Sequence, residues 1–499
     1  MNPTRELGLR SVLAAVATLL VAGCAVGPEF KRPAPPEANT YTPEPLTNTV
    51  ATANVFGGQR QKFANGIDVA DDWWTLFHSQ PLNDLIHQAL SNNPDLKAAQ
   101  AALKVARENV LAQRGAYFPG AAASFDATRQ RQSGQIAPVL SSNAFLYNLF
   151  TPQVSISYVP DVFGLNRRTV ESLQAQEQEV RYQMIATYTT LTSNVVVTAI
   201  QESSLERQVG VTRQLIDSNT NAVQILRYQS QRGYASGLDV AAQESQLAQV
   251  AATLPPLVKQ LAQVRDQLAV LTGRFPSQMP SQAFFDLSQL QLPESLPVSL
   301  PSALIEQRPD VLQAEANLHD SSAKIGVAIA NRLPNFVLTA NAGSSAAALS
   351  QLFTTGTSFW SIGAAATAPI FQGGTLLHQQ RAAKAAYRQA AEQYRSTVLT
   401  AFQNVADTLT ALEQDAAGLS ASAGAAEAAK TTLGLAQRQY KSGYGAYLTL
   451  LSAEQADQQA QINLIQAQAS RYADTAALFQ ALGGGWWHRP DLTTDTHAQ

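Results

Sequence analysis

Two stretches of this 499-residue chain repeat one another, and they decide its architecture. The first reads QRGYASGLDVAAQE over residues 231–244, and the second reads KSGYGAYLTLLSAE over residues 441–454. Their Gly-Tyr, Leu and Glu positions coincide at an offset of 210 residues (443 − 233). Further out, Pro94-Asp95 recurs as Pro309-Asp310, so the markers keep their order in each half. The sequence therefore predicts a tandem duplication of one long unit.

Long helices are predicted on both sides of each repeated turn. Apolar residues recur at intervals of 3, 4 and 7, and no proline interrupts the chain from Leu165 to about Tyr228. Such a helix would be about 95 Å long at 1.5 Å per residue. The second half repeats the pattern from Thr375 to Tyr440, and shorter partner helices are expected over 238–271 and 448–482. Apolar repeats of this extent favour coiled-coil packing.

Four strands are predicted between the helices. Residues 154–158 and 360–367 alternate between larger apolar and small or polar side chains, and residues 121–128 and 336–342 carry a weaker form of the pattern. Strands of this kind, joined by Ser-, Gly- and Asn-rich loops, are typical of outer-membrane β-barrels. Bacterial barrels begin at eight strands, and an open edge in lipid leaves backbone groups unsatisfied. The chain is therefore expected to oligomerise, with eight strands from two copies or twelve from three.

The N-terminus indicates export and lipid attachment. Arg5 and Arg10 precede an apolar run over 12–22, which ends in small residues before Cys24, the only cysteine of the chain. This pattern predicts a cleaved signal peptide followed by acylation of Cys24. Two or more acyl chains would anchor the protein stably. Ala25 follows, where inner-membrane lipoproteins tend to carry Asp, so the predicted location is the outer membrane.

Composition and motifs argue against nucleic-acid binding and against catalysis. Charged residues make up 14% of the chain, the net charge is −3, and no basic cluster is present. The six histidines form no H-E-x-x-H pair, and neither a G-x-S-x-G elbow nor a phosphate-binding Gly-Lys loop occurs. We therefore expect no catalytic residue, no cofactor and no metal site, and we interpret His319-Asp320 as a solvent-exposed pair.

The repeats divide the chain into six predicted segments. They are a signal peptide (1–23), a lipid-anchored N-terminal tether and equatorial segment (24–80), the first repeat (81–273), an inter-repeat linker (274–300), the second repeat (301–483) and a C-terminal tail (484–499). The Pro-, Thr- and Asn-rich stretch from Lys31 to about Phe63 is interpreted as the tether itself. The predicted fold is mixed α and β, mainly α. It combines long coiled helices with four strands per chain of a shared transmembrane β-barrel.

Several motifs together resemble a known family. They are Gly27-Pro28 with Lys31-Arg32-Pro33, Asp161-Val162-Phe163-Gly164, Pro369-Ile370-Phe371-Gln372-Gly373-Gly374 and Tyr440-Lys441-Ser442-Gly443. In combination they are similar to the TolC-type outer membrane factors, nearest the lipoprotein branch of OprM- and NodT-like proteins. The resemblance implies a homotrimer with a twelve-stranded barrel and a twelve-helix tunnel, in which the long coiled helices form a periplasmic α-barrel. It also implies a periplasmic adaptor (membrane fusion) protein, an inner-membrane pump of the resistance-nodulation-division (RND) type, and contact with outer membrane lipid.

The resemblance also assigns residues to a periplasmic gate and to the hairpin tips. Asp239 and Tyr440 match a hydrogen-bonded pair that holds the gate, whereas Thr449 and Ser452 stand where the TolC prototype has two aspartates. Gly445 replaces an arginine of that prototype. The alternative for Asp239 is that it simply begins a helix. The adaptor-facing tips are expected at Gly233, Gly443, Arg232 and Lys441.

Two other functions remain open from the sequence. One is the outer membrane channel of a type I protein secretion system, and the other is a non-conducting structural coiled-coil lipoprotein of the envelope. Four strands at matched positions favour a channel over a tether. Alanine pairs in the second repeat are predicted helix-contact positions within a ring of helices; they are Ala382-Ala383, Ala385-Ala386, Ala425-Ala426 and Ala428-Ala429.

Overall fold

The computed structural model describes residues 25–38, 40–44, 46–131, 146–280 and 284–493. These residues form two compact units, each assembled from parts of both repeats. The first unit contains the described residues up to Pro33 together with Leu103–Val180 and Ala314–Tyr394. The second contains Ala34–Ala102, Arg181–Gln313 and the described residues from Arg395 onward.

Helices dominate the chain, and strands occur in two small sets. The helices are α1 (Gln80–Asn92), α2 (Pro94–Arg114), α3 (Leu165–Gln231), α4 (Gly237–Leu271), α5 (Pro301–Gln307), α6 (Pro309–Ala330), α7 (Thr375–Lys441), α8 (Tyr447–Ala481) and α9 (Pro490–Thr493). The strands are β1 (Lys62–Asn65), β2 (Gly120–Arg131), β3 (Leu146–Tyr158), β4 (Ser295–Val298), β5 (Asn335–Ser344) and β6 (Ser358–Thr367).

The repeat is visible in the lengths of the helices. α3 and α7 each contain 67 residues, and their partners α4 and α8 each contain 35. Both long helices end in the same turn, in which Gly233 (φ +80°) and Gly443 (φ +76°) take the left-handed conformation. The following tyrosine N–H donates to the carbonyl five residues earlier, from Tyr234 to Gln229 and from Tyr444 to Gln439. This helix-ending motif needs glycine because a Cβ is strained at positive φ.

The first unit contains an antiparallel sheet with the strand order β2-β3-β5-β6. Each repeat contributes one hairpin, and the two hairpins meet where β3 pairs with β5, from Gln153 opposite Gly343 to Tyr158 opposite Leu338. In the second unit, β1 pairs in parallel with β4.

The stretch interpreted as a tether contacts the rest of the chain at several points, and its role as a tether stays a prediction. In the first unit, Arg32 Nε lies 2.9 Å from Glu315 Oε2. In the second, the Tyr41 hydroxyl donates to the Ser299 carbonyl (2.9 Å), and β1 forms the end of the stretch. Proline-rich composition correctly predicts little regular structure, but it does not report these long-range contacts.

The interpretation of His319-Asp320 as a solvent-exposed pair is also wrong. His319 stacks on Phe30 with ring centroids 4.3 Å apart, and its Nε2 lies 2.9 Å from Glu171 Oε1. Asp320 is buried and accepts hydrogen bonds from Ser172 (2.5 Å) and Lys324 (2.6 Å). The pair therefore joins α6 to α3 within the first unit.

Candidate functional site

One face of the four-stranded sheet is apolar. Residues directly opposite one another in antiparallel strands share a face, and the pairings Ala123 to Val154, Val154 to Ala342 and Ala342 to Trp360 trace this face across all four strands. Trp360 and Ile362 are 77% and 79% exposed. A continuous exposed apolar surface on strands of 10 to 13 residues fits contact with lipid.

The opposite face is mainly polar. Ser124, Asp126 and Thr128 of β2 lie across from Gln153, Thr151 and Leu149 of β3. On β5 and β6, Asn341 lies opposite Ser361, and its Nδ2 donates to the serine hydroxyl (3.4 Å). Hydroxyl and amide groups of this kind suit a surface in contact with water. The sheet therefore has the two faces of a membrane pore wall, with β2 and β6 as its edge strands.

The residues that follow Cys24 lie against the junction between β3 and α3, although Cys24 itself lies outside the described residues. The Val26 N–H donates to the Phe163 carbonyl (3.1 Å), and Arg168 Nε donates to the Val26 carbonyl (3.0 Å). A Cβ on Gly164 would meet Ala25 at 2.6 Å, and one on Gly27 would meet the backbone of Gly326 at 2.5 Å. Two glycines thus permit the close approach of this segment.

The hairpin tips expose the residues that the sequence places there. Gly233 and Arg232 are exposed at the first tip, and Gly443 and Lys441 at the second. The neighbouring Tyr234 and Tyr444 are 85% and 93% exposed. Aromatic side chains are enriched at protein–protein interfaces, so these two exposed rings suit contact with a partner.

Asp239 begins α4 instead of bonding to Tyr440. Its carboxylate accepts from the Ser236 N–H (3.1 Å) and hydroxyl (2.7 Å), and the Asp239 N–H donates to the Ser236 hydroxyl (3.1 Å). This reciprocal capping box satisfies the free N–H groups of the helix start. Within the described part of the chain, Asp239 forms this cap and no hydrogen bond to Tyr440, and the gate role of the two residues stays a prediction.

Tyr440 contributes its ring to the tip. The ring packs edge-on against Tyr447, with centroids 5.4 Å apart. Burial, and to a smaller extent the charge of Asp239, raise the pKa of Tyr440 above its ordinary value. Asp239 and Tyr440 are therefore close enough to interact electrostatically, while the Tyr440 hydroxyl points to no described partner.

A different polar link joins the two repeats near the tips, and the sequence reasoning missed it. The buried Tyr447 hydroxyl donates to the Gln243 amide oxygen, and Gln243 Nε2 donates to Asn219 Oδ1 (2.8 Å). Farther along the helices, Gln455 donates to Gln246, and Gln466 Nε2 donates to Gln208 Oε1 (3.2 Å). We call these four hydrogen bonds the amide ladder. They connect α8 to the first-repeat helices α3 and α4.

A signal for the amide ladder was present in the sequence. Between Val240 and Val250, the positions at intervals of 3, 3 and 4 are Gln243 and Gln246. A long polar side chain at a core position of an apolar repeat is expected to bond across the helix interface.

The two predicted replacements of gate aspartates share one exposed surface. Thr449 and Ser452 lie three residues apart on α8, and both are exposed. The Ser452 hydroxyl donates to the Leu448 carbonyl of its own helix (2.9 Å). This surface carries hydroxyl groups and no charge at these two positions.

Two carboxylates and a buried arginine form a second cluster that the sequence reasoning missed. Arg471 is fully buried, and its Nη2 donates to the Gln59 carbonyl (2.6 Å) and the Thr49 hydroxyl (3.1 Å). Asp415 of α7 faces Asp474 of α8. Burial, together with the hydrogen bond and charge of Asp474, raises the pKa of Asp415 to about 7 although Arg471 opposes the shift.

The described residues contain no group of three or more His, Cys, Asp or Glu side chains that could hold a metal ion. Among them, none of the helices is both long and apolar enough to cross a membrane.

Known proteins resemble this chain over most of its length. The model of the outer membrane efflux protein family matches residues 85–274 and 300–484. A probable efflux pump outer membrane protein of Pseudomonas putida, TtgC, is 28% identical over 480 residues, which cover 95% of each chain. The pyoverdine export outer membrane protein OpmQ of Pseudomonas aeruginosa is 30% identical over 454 residues, which cover 89% of this chain and 94% of the relative. The Campylobacter jejuni CmeC outer membrane channel has a TM-score of 0.82 at 22% identity, covering 93% of this chain and 95% of that one.

A two-faced sheet combined with long helical hairpins in two repeats defines a subunit of an outer membrane channel. The chain belongs to the outer membrane efflux protein family, and its location is the outer membrane. The family and the mainly helical fold class predicted from the sequence are confirmed. The six segment boundaries stay a prediction.

Proposed function

We propose that this chain is the outer membrane channel of a tripartite efflux system, which passes substrates from an inner-membrane pump and a periplasmic adaptor to the exterior. The observation that carries the proposal is the sheet, because its apolar face suits lipid and its polar face suits a water-filled passage. A non-conducting envelope tether would have no use for that polar face.

The working form of the channel is a homotrimer. Four strands with edges at β2 and β6 cannot close on themselves, and an open edge in lipid costs several kcal/mol for each unsatisfied backbone group. Three copies joined from β6 of one to β2 of the next would supply twelve strands and a lumen.

The adaptor binds at the hairpin tips around Gly233, Arg232, Gly443 and Lys441, where the two exposed tyrosines supply apolar area. TtgC is named as an efflux pump outer membrane protein and OpmQ as a pyoverdine export outer membrane protein, which supports a pump partner in the inner membrane. An RND-type pump is the partner implied by the family resemblance.

The periplasmic gate lies at the same end of the helices. We assign its latch to the Tyr447–Gln243–Asn219 contact of the amide ladder, with Asp239 as the cap of α4 and Tyr440 as the ring that packs on Tyr447. Thr449 and Ser452 form an uncharged part of the pore-facing surface.

Cys24 is the proposed site of lipid attachment. The contacts of Val26 with Phe163 and Arg168 hold the chain that leads from it beside the strand-to-helix junction. An acyl group such as palmitate on Cys24 would then enter the membrane close to the strands.

The proposal is tested by purifying the full-length protein in detergent and measuring both its mass and its conductance in planar bilayers. We expect a native mass of three chains and discrete channel openings. A one- or two-chain mass would refute the trimer, and a stable trimer without any openings would favour the structural lipoprotein instead.

A further inference from the structure

Charged residues are almost absent from the strand regions of this chain. Over residues 118–160 and 333–380, which include all four strands of the sheet and their loops, the only Asp, Glu, Lys or Arg residues are Asp126, Arg129 and Arg131.

The three charges lie on different faces of β2. Asp126 pairs with Thr151 on the polar face. Arg129 lies opposite Asn148 and Arg131 lies opposite Leu146, so both arginines lie on the face that carries Phe125, and both are exposed. Two adjacent positive charges thus stand on the side of the sheet that is otherwise apolar.

The arginines lie at the end of β2 that leads into the loop. Eight residue steps separate Ala121 from Arg129, which is about 27 Å along a strand. A strand tilted by about 40° would rise roughly 20 Å over this distance, close to the apolar band of about 25 Å in outer-membrane barrels. The helical end of β2 marks the periplasmic side in the proposed channel, so Arg129 and Arg131 lie at the outer boundary of the membrane.

Arginine facing lipid is unfavourable at the membrane centre, and this penalty falls to nearly zero at the interface. Guanidinium groups at the interface can bind phosphate in a bidentate manner, with charge-assisted hydrogen bonds. Asn148, exposed on the same face opposite Arg129, adds an amide donor.

We propose that Arg129, Arg131 and Asn148 form a binding site for the phosphate groups of the glycolipid in the outer leaflet of the outer membrane. The site rests on the proposed function, because that function sets which end of β2 is outermost. Charge complementarity selects the occupant, since the other described residues of this face offer no charge and the outer leaflet is rich in phosphorylated glycolipid.

The test measures binding of bisphosphorylated lipid A to the purified full-length channel, beside lipid A without its phosphates and vesicles of phosphatidylglycerol. For the wild type we expect lipid A to bind most tightly, and removal of its phosphates to abolish most of the binding. The double variant Arg129→Gln/Arg131→Gln should weaken binding of bisphosphorylated lipid A about 10- to 100-fold. Arg129→Lys/Arg131→Lys should lose less, because it keeps the charge.

The matched control is Arg388→Gln/Arg395→Gln, which removes two exposed arginines from α7 and should leave lipid A binding unchanged. Wild-type affinity in the Arg129/Arg131 variant would overturn the site. Equal binding of phosphatidylglycerol and lipid A would also overturn it, because that result means general attraction to anionic lipid. All variants should retain channel openings, so loss of lipid binding with conductance intact is distinct from failure of the proposed function.

Discussion

Arg471, Asp415 and Asp474 form a cluster in which several buried polar atoms have no hydrogen-bond partner among the described residues. Arg471 is fully buried, and its Nε and Nη1 atoms are two of these. Asp415 Oδ2 is likewise buried without a donor while both carboxylates of the Asp415–Asp474 pair are ionised. Burial disfavours the charged form of Asp415, and a proton on one of the pair supplies the missing hydrogen bond, so both effects raise the pKa of Asp415 to about 7.

The first residue-scale prediction is a dependence of stability on pH. Because the pKa of Asp415 is raised from 3.8 to about 7, the folded protein binds more protons than the unfolded chain between these values. The contribution of Asp415 to stability therefore falls as pH rises from about 4 to 7. Asp415→Asn should flatten this part of the profile of unfolding temperature against pH.

The control for this experiment is Asp407→Asn on the same helix, where the carboxylate is exposed and accepts a hydrogen bond from Gln403. Its profile should follow that of the wild type. Parallel profiles for Asp415→Asn and the wild type would show that Asp415 does not titrate in this range.

A second residue-scale prediction concerns the gate. Tyr447→Phe removes the donor to Gln243 and leaves a buried amide oxygen without a partner, at a cost of about 1 to 3 kcal/mol. We expect a higher single-channel conductance in planar bilayers, because the latch between α8 and α4 is weakened.

Tyr440→Phe is the matched control, because it removes a hydroxyl without a described partner and keeps the ring that packs on Tyr447. Its conductance should equal that of the wild type. If Tyr440→Phe opened the channel and Tyr447→Phe did not, the latch would belong to Tyr440 and our assignment would be incorrect.

At the scale of elements, the alanine pairs of α7 form a surface that is exposed to solvent in a single chain. Ala382, Ala385 and Ala386 are exposed in the chain by itself. Alanine at such positions either supplies helix propensity or allows close approach of another helix. The second explanation requires a neighbouring chain.

Ala386→Phe distinguishes these explanations. If a neighbouring helix covers Ala386, the larger side chain should destabilise the assembled protein by about 1 to 3 kcal/mol, measured as a lower unfolding temperature and a smaller trimer fraction. Ala386→Ser changes the volume little and should behave as the wild type. An unchanged unfolding temperature for both would assign Ala386 to open solvent.

The positions and lengths of the long helices could be predicted from the sequence. The predicted helix over 165–228 is α3 (Leu165–Gln231), and the predicted helix over 375–440 is α7 (Thr375–Lys441). Proline-free apolar repeats and the glycines of the tips define these bounds physically. The polar contacts were harder, because spacing can place a polar residue such as Gln243 in the core but does not tell which residue of another helix it meets. The hydrogen bonds of Asp320 and the amide ladder were missed for that reason.

At the scale of the whole molecule, duplication lets the two similar repeats take different roles. Each hairpin contributes two strands to one sheet. Among these four strands only β2 contains charged residues, and its two arginines lie at the end next to the loop. Likewise, the second tip starts α8 at Tyr447, which supplies the latch hydroxyl, whereas the first tip starts α4 with the Ser236–Asp239 capping box. A channel with identical repeats would place the same groups twice as often around its ring.

The pairing of β3 with β5 also determines the order in which the parts of the sheet form. Gln153 and Gly343 lie opposite one another although 190 residues separate them in the chain (343 − 153). Each hairpin is local and can form in microseconds, whereas joining them must wait until the ends of this long intervening loop find each other. During that delay, the unjoined edges of both hairpins can pair with strands of other molecules. Because aggregation competes with this joining step, we expect the yield of functional protein to depend on the rate of the step as well as on the final stability.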